Sequence, residues 1–215
     1  MQPFTPMIDI LKPAESERFR LEKFEVMESE ANLHNLRAYI NGQGDSRIES
    51  GEYMRLIQKG RVTLTTRSMD RLWMSDTPFE QRTNRHIART ANGDVFIAGL
   101  GIGMLLVPLL QKEDVKSITV VEKEQEIIDL IEPQLRAKLA CDKLTIICMD
   151  VFDFKPTQKY DVVYFDIWAD IASENWPEMK KLHRRFQNKL NRDNPKHLMD
   201  SWERDWCRGR ALSGL

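Results

Sequence analysis

The residues best suited to chemistry lie at four separated places: Gly99-Leu-Gly101-Ile-Gly103, Glu122 with Lys123, Asp150 with Val151, and Asp166 with Asp170. Closely spaced glycines let the backbone turn through positive φ and approach a ligand, and amides freed at such a turn favour a carboxylate or phosphate. Glu122 follows the glycines by about 20 residues, the interval at which an acidic side chain meets ribose hydroxyls in nucleotide folds. Asp150 is placed to accept from the amino group of a base. Asp166 and Asp170 are carboxylates able to position or deprotonate an acceptor, with Asp76 and Glu80 as weaker candidates. Each residue alone also has an ordinary reading, as a helix cap, a turn cap or a solvated strand end. Their order on successive strands favours a shared site.

The elements needed to position them are legible as period and composition. Asp94–Ala98, Ser117–Val121, Leu144–Met149 and Asp161–Phe165 are short apolar runs of the kind buried in a parallel sheet. Helical segments, Gly103–Gln111 and Glu124–Leu139, separate the first three, which is a βαβαβ order. Pro108 and Pro133 should bend these helices. The link from Val151 to Lys159 is too short for more than one helical turn, so the fourth strand should cross over to lie beside the first. Glu174–Leu190 reads as a helix with Met179, Leu182, Phe186 and Leu190 on one face. Nothing after Asn191 resembles a strand, so the sheet is expected to be truncated after its fourth strand. The bare edge should then be covered by an N-terminal ribbon or a second subunit, making a homo-oligomer the expected state.

Upstream, Ala14–Ile40 reads as a long amphipathic helix with at most one break, and Glu49–Lys59 as a shorter one. Arg61–Arg67 with Asp70–Met74 reads as a small antiparallel ribbon. Thr77-Pro78-Phe79-Glu80 opens a helix running to about Ala91. The expected organisation is an N-terminal helical segment (1–60), a β-ribbon and leading helix (61–92), an α/β Rossmann-like core (93–190) and a basic tail (191–215).

Several runs carry a resemblance: Val95-Phe-Ile-Ala-Gly-Leu-Gly-Ile-Gly103, Thr119-Val-Val-Glu-Lys-Glu124, Met149-Asp-Val-Phe-Asp153 and Tyr160-Asp-Val-Val-Tyr-Phe-Asp166. They resemble the class I S-adenosylmethionine-dependent methyltransferases, especially their spermidine synthase-like branch. Gly51-Glu-Tyr-Met-Arg-Leu56, Met74-Ser-Asp-Thr-Pro-Phe-Glu80 and Asp166-Ile-Trp-Ala-Asp170 are similar to segments of small uncharacterised methyltransferase-like proteins of bacteria and phages. The resemblance implies S-adenosyl-L-methionine as cofactor. Gly99, Gly101 and Gly103 would lie near its methionine part, Glu122 with Lys123 at the ribose, and Asp150 with Val151 at the adenine. Polyamine synthases carry Asp-x-x-Asp at the fourth strand, whereas Asp166 and Asp170 are one residue further apart. No Asn-Pro-Pro-Tyr, Asp-Pro-Pro-Tyr or Pro-Cys signature is present, so the acceptor stays unassigned.

Alternatives remain open. A nicotinamide dehydrogenase would want glycine or alanine where Met104 stands. A non-catalytic cofactor-binding module, a polyamine synthase-like enzyme and an enzyme that degrades the cofactor are further readings.

Composition bounds the rest. Over 215 residues, 32 Lys and Arg nearly balance 33 Asp and Glu, which removes a global electrostatic case for nucleic acid or an anionic membrane. Locally, residues 180–215 carry ten basic against four acidic side chains, with Trp202 and Trp206 interleaved. A nucleic-acid surface is one reading; a solvated basic face with both tryptophans packed on the core is favoured. Trp168 and Trp176 either wall a pocket or fill core. Cys141, Cys148 and Cys207 form no Cys-x-x-Cys pair, the four histidines are scattered, and no metal site is expected. With neither a signal-like start nor an apolar run of membrane length, a cytoplasmic protein is expected.

Overall fold

Phe19 and Leu21, like Met54 and Leu56, are buried at alternate positions, and that period of two builds strands rather than helices. The computed structural model describes residues 4–40, 47–60 and 68–213. Its first half holds β1 (Ala14–Glu15), β2 (Phe19–Val26), α1 (Glu28–Ile40), β3 (Gly51–Gln58) and β4 (Arg71–Ser75). The strands form an antiparallel sheet in the order β1-β2-β3-β4. The long helix expected over Ala14–Ile40 is therefore confined to α1, and the helix expected over Glu49–Lys59 is β3.

The charged residues that suggest a helical polar face are instead a cross-strand ladder. Glu22 pairs with Arg55 in register, and its carboxylate accepts from Arg20 at 2.6 Å and from Arg55 at 2.7 Å. The expected ribbon is resolved differently as well: β4 pairs with β3, while residues 61–67 lie outside the described residues.

Asp76 joins this sheet to the N-terminal residues. It is 1% exposed, and its two oxygens accept the Met7 amide at 2.8 Å and the Met54 amide at 2.7 Å. Pro78 then opens α2 (Pro78–Thr83), which breaks at Asn84 before α3 (Arg85–Thr90) instead of continuing to Ala91. Asn84 is fully buried; it donates to the Glu80 carbonyl at 3.1 Å and accepts the Tyr164 hydroxyl at 3.1 Å. Thr77 precedes α2 without making a side-chain cap bond.

The second half alternates β5 (Gly93–Ala98), α4 (Leu106–Leu110), β6 (Val115–Glu122), α5 (Gln125–Lys138), β7 (Leu144–Cys148), β8 (Val162–Phe165), α6 (Asn175–Phe186), β9 (Leu198–Ser201) and α7 (Arg204–Ser213). A five-stranded parallel sheet results, in the order β7-β6-β5-β8-β9. The chain crosses over after β7 so that β8 lies beside β5, as expected. The sheet is not truncated after its fourth strand, however. Leu198-Met-Asp-Ser201 pairs parallel with β8 and covers the edge assigned above to a ribbon or partner.

Alternation along β5 and β8 divides the core. Val95, Ile97, Val162 and Tyr164 face one side, together with α4, α5 and the buried face of the antiparallel sheet. Phe96, Ala98, Val163 and Phe165 face the other, where Leu182 and Phe186 of α6 pack. The Phe96 ring lies 4.7 Å from that of Phe186 and 5.3 Å from that of Phe154, anchoring α6 and the β7–β8 link to the same spot. Arg18, before β2, pairs with both Glu124 and Glu126, which fastens the antiparallel sheet to the start of α5. Hydrogen bonds from the Ser16 hydroxyl and Arg18 pull the Glu126 carboxyl down to about 2. No described helix is long and apolar enough to cross a membrane.

Candidate functional site

A cleft opens at the carboxyl ends of the paired strands β5 and β8, where the strand order reverses, the position at which open α/β sheets bind ligands. It encloses about 280 Å³ and receives Gly99, Gly101, Glu122, Lys123, Asp150, Val151 and Asp166 from the parallel sheet. Trp73, Met74 and Glu80 come from β4 and α2, and Trp168, Glu178 and Trp202 complete the wall.

Gly99 has φ +97°, and a Cβ there would press into the backbone carbonyl of Asp166. The glycine turn and the tip of β8 thus touch backbone to backbone, a closeness no side chain permits. Gly101, at φ +53°, is covered by the Met74 thioether. Gly103 stands apart from the cleft wall, and a Cβ on it would lie 2.7 Å from Leu135 Cδ1, so it serves the packing of the turn on α5.

Glu122 ends β6 and is 6% exposed. One carboxyl oxygen accepts the Leu100 amide at 2.9 Å and the other the Glu124 amide at 3.0 Å, tying the glycine turn to the next strand. Burial pushes this carboxyl above its ordinary range. Two backbone donors leave acceptor capacity on the carboxylate for further hydroxyls. Asp150 folds into a turn by accepting the Phe152 amide at 2.8 Å, beside an apolar wall of Val121, Met149, Val151 and Phe152. Among the described residues Lys123 is the one cationic side chain of the lining.

The other end of the cleft is acidic. Burial pushes the Asp166 carboxyl up to about 7, and burial together with the Asp166 charge pushes Glu80 up to about 8. Glu80 is thus a member of the site, whereas Asp76 is consumed by the Met7 and Met54 amides and is absent from the lining. Asp170 also lies outside the cleft lining; it is exposed and pairs with Arg71 of β4 at 2.8 Å, bridging the loop after β8 to the antiparallel sheet.

Trp168 walls the cleft and donates to Glu178 at 2.8 Å, while Trp176 stands outside it under Lys180. Trp202, 6% exposed, donates to Thr83 at 3.0 Å and lines the cleft. Trp206 is not core; it is 38% exposed and carries Arg210 over its ring. The contributions of Trp73 and Glu178 are carried by no spacing or motif, and Met74 belongs to the Met74–Glu80 run without any site role given by it, because all three arrive from other elements through tertiary packing. Among the described residues no group of three or more His, Cys, Asp or Glu side chains is arranged to hold a metal ion.

No protein-family model and no curated protein matches the chain. Solved structures to which it is similar include a DhpI–SAM–HEP complex, at 20% identity over 56% of this chain and 51% of that one, TM-score 0.42. Others are the CcbJ methyltransferase of Streptomyces caelestis (15%, 56% and 45%, TM-score 0.42) and an S-adenosylmethionine-dependent methyltransferase of Clostridium acetobutylicum (18%, 50% and 43%, TM-score 0.37). The chain spans about half the length of these structures or less.

Proposed function

We propose that the protein is an S-adenosylmethionine-dependent methyltransferase. The observation that carries this reading is the convergence of Gly99, Gly101, Glu122, Asp150 and Val151 on one cleft at the strand-order switch. Bare backbone at the glycine turn would take the methionine part. Glu122, already oriented by two amides, would accept from the ribose hydroxyls, with Lys123 beside it. Asp150 and the Val151 wall would hold the adenine. The cofactor, when bound, supplies an electrophilic methyl group. The chain's own task is to align an acceptor with it and exclude water, and alignment alone can lower the barrier by on the order of 7–11 kcal/mol. Asp166 is proposed to position or deprotonate the acceptor. Asp170 is proposed to act indirectly, through its Arg71 bridge, by holding the loop that carries Trp168.

The test is calorimetry with S-adenosylhomocysteine, followed by product analysis with methyl-labelled cofactor, alone and with cell extract. Tight binding and label transferred to an acceptor support the reading. Binding without transfer would instead favour a non-catalytic module, breakdown of the cofactor alone a degrading enzyme, and absence of binding would remove the proposal.

A further inference from the structure

The cleft has two chemically different ends. Glu122 at the tip of β6 and Asp166 at the tip of β8 stand on either side of β5, two strand spacings or about 10 Å apart. Lys123, the single lining cation among the described residues, is at the β6 end. At the β8 end the Asp166 carboxyl lines the cleft with Glu80, and among the described residues it has no hydrogen-bond or ion-pair partner; burial holds it above its ordinary range. Such a group is costly to leave unpaired, and a ligand of complementary charge is the natural way to satisfy it.

The groups around the pair add to this polarity. From α2 comes Glu80 itself, held by the Ser75 amide. From β8 comes Tyr164, whose hydroxyl is already given to Asn84. Glu203, after β9, adds its negative field at Glu80, and Glu178 of α6 lines the wall as the acceptor of the Trp168 indole. Much of the remaining wall is indole, beside Met74, Ile167 and Ala169. Trp202 is fixed beside the pair from both sides, its amide bonded to the Phe165 carbonyl at 2.9 Å and its ring nitrogen to Thr83 at 3.0 Å, while Thr83 in turn bonds the Glu80 carbonyl at 3.0 Å. Trp168 follows Asp166 by two residues, and Trp73 closes the cleft from β4. Indole faces attract cations, and they cover the apolar stem that carries one.

Resting on the cofactor reading above, we propose that the Glu80–Asp166 end of the cleft, walled by Trp73, Trp168 and Trp202, is the acceptor subsite and takes a protonated aliphatic amine. A neutral alcohol would leave the negative charge of the pair unmatched, and an anion would be repelled by it. The reaction balances without a further reagent. The bound ammonium gives one proton to the carboxyl pair. The freed nitrogen lone pair attacks the sulfonium methyl carbon, a C–N bond forms as the S–C bond breaks, and the bonding electrons pass to sulfur to leave a neutral thioether. The product departs as a methylammonium, and the pair returns its proton to solvent.

The experiment is calorimetry at pH 7.5 on the full chain. S-adenosylhomocysteine is titrated first, then phenethylamine, phenethyl alcohol and phenylacetate into the preformed complex. The expected result is at least tenfold tighter binding of the amine than of the alcohol or the acid. Glu80→Gln and, independently, Asp166→Asn should each weaken the amine at least tenfold, with S-adenosylhomocysteine affinity held within twofold. Equal affinity for amine and alcohol, or amine affinity unchanged in whichever variant folds, overturns the amine subsite. Loss of S-adenosylhomocysteine binding by the unsubstituted protein overturns the cofactor reading instead, so the two failures are distinguishable.

Discussion

Replacing Gly99 by alanine tests how the cleft is held open. At φ +97° an L-residue costs about 1–2 kcal/mol in backbone strain alone. The new methyl group would also press into the Asp166 carbonyl oxygen. That obstacle is backbone, pinned by the Asp166 amide's bond to the Ala98 carbonyl at 2.8 Å, so the tip of β8 must shift as a unit. Forcing backbone into a strained arrangement adds about 1–3 kcal/mol, giving about 2–5 kcal/mol in total. Gly103→Ala supplies the control. Its φ of +73° carries a similar backbone cost, but the methyl meets the flexible end of Leu135 at 2.7 Å, which can rotate away, so about 1–2 kcal/mol is expected. Urea unfolding of both variants, compared at constant m, measures the difference. Gly99→Ala losing less than Gly103→Ala would refute the claim that backbone contact between the glycine turn and β8 shapes the cleft.

Other expectations follow from the same contacts. Asp76→Asn keeps one acceptor oxygen for two buried amides, so denaturant unfolding should register a loss of about 1–3 kcal/mol; an unchanged midpoint would mean that water replaces the lost bond. Gly209 lies within α7 with open space where a Cβ would stand, so Gly209→Ala should raise stability by about 0.5–1 kcal/mol, and a lower melting temperature would contradict it. Asp166 and Glu80 are raised in the fold to about 7 and about 8, so the unfolded chain gives up these protons first as pH rises. Their contribution to stability is fully present below the ordinary carboxyl range, near pH 4, and is lost as pH rises through about 7 to 8. The Glu80→Gln, Asp166→Asn double variant should flatten that part of the stability profile, and an undiminished slope would place its origin elsewhere.

The parallel core was legible because it depends on local signals. Val95 to Ala98 and Val162 to Phe165 are continuous apolar runs, and the glycine turn directly follows the first of them. β9 was not, since Leu198-Met-Asp-Ser201 is four residues with a polar half and is a strand only because β8 offers it an edge. In β2 and β3, alternation was masked by Arg20, Glu22 and Arg55, whose spacing suits a helix surface as well as a ladder between strands. The same distinction runs through the cleft. Gly99, Glu122, Asp150 and Asp166 follow from strand ends, whereas choosing Glu80 over its neighbour Asp76 required knowing which carboxylate the Met7 and Met54 amides had already claimed.

Because Trp73, Met74 and Glu80 reach the cleft from the first half of the chain while the glycines and Asp166 reach it from the second, the cavity is a seam and belongs to neither half alone. A molecule lodged there would act as mortar, since whatever binds only the closed arrangement stabilises the joint by an amount that grows with the logarithm of its concentration. Conversely, a fragment beginning at Gly93 would keep the glycine turn and lose the opposite wall, leaving an open shelf where the intact protein has an enclosure.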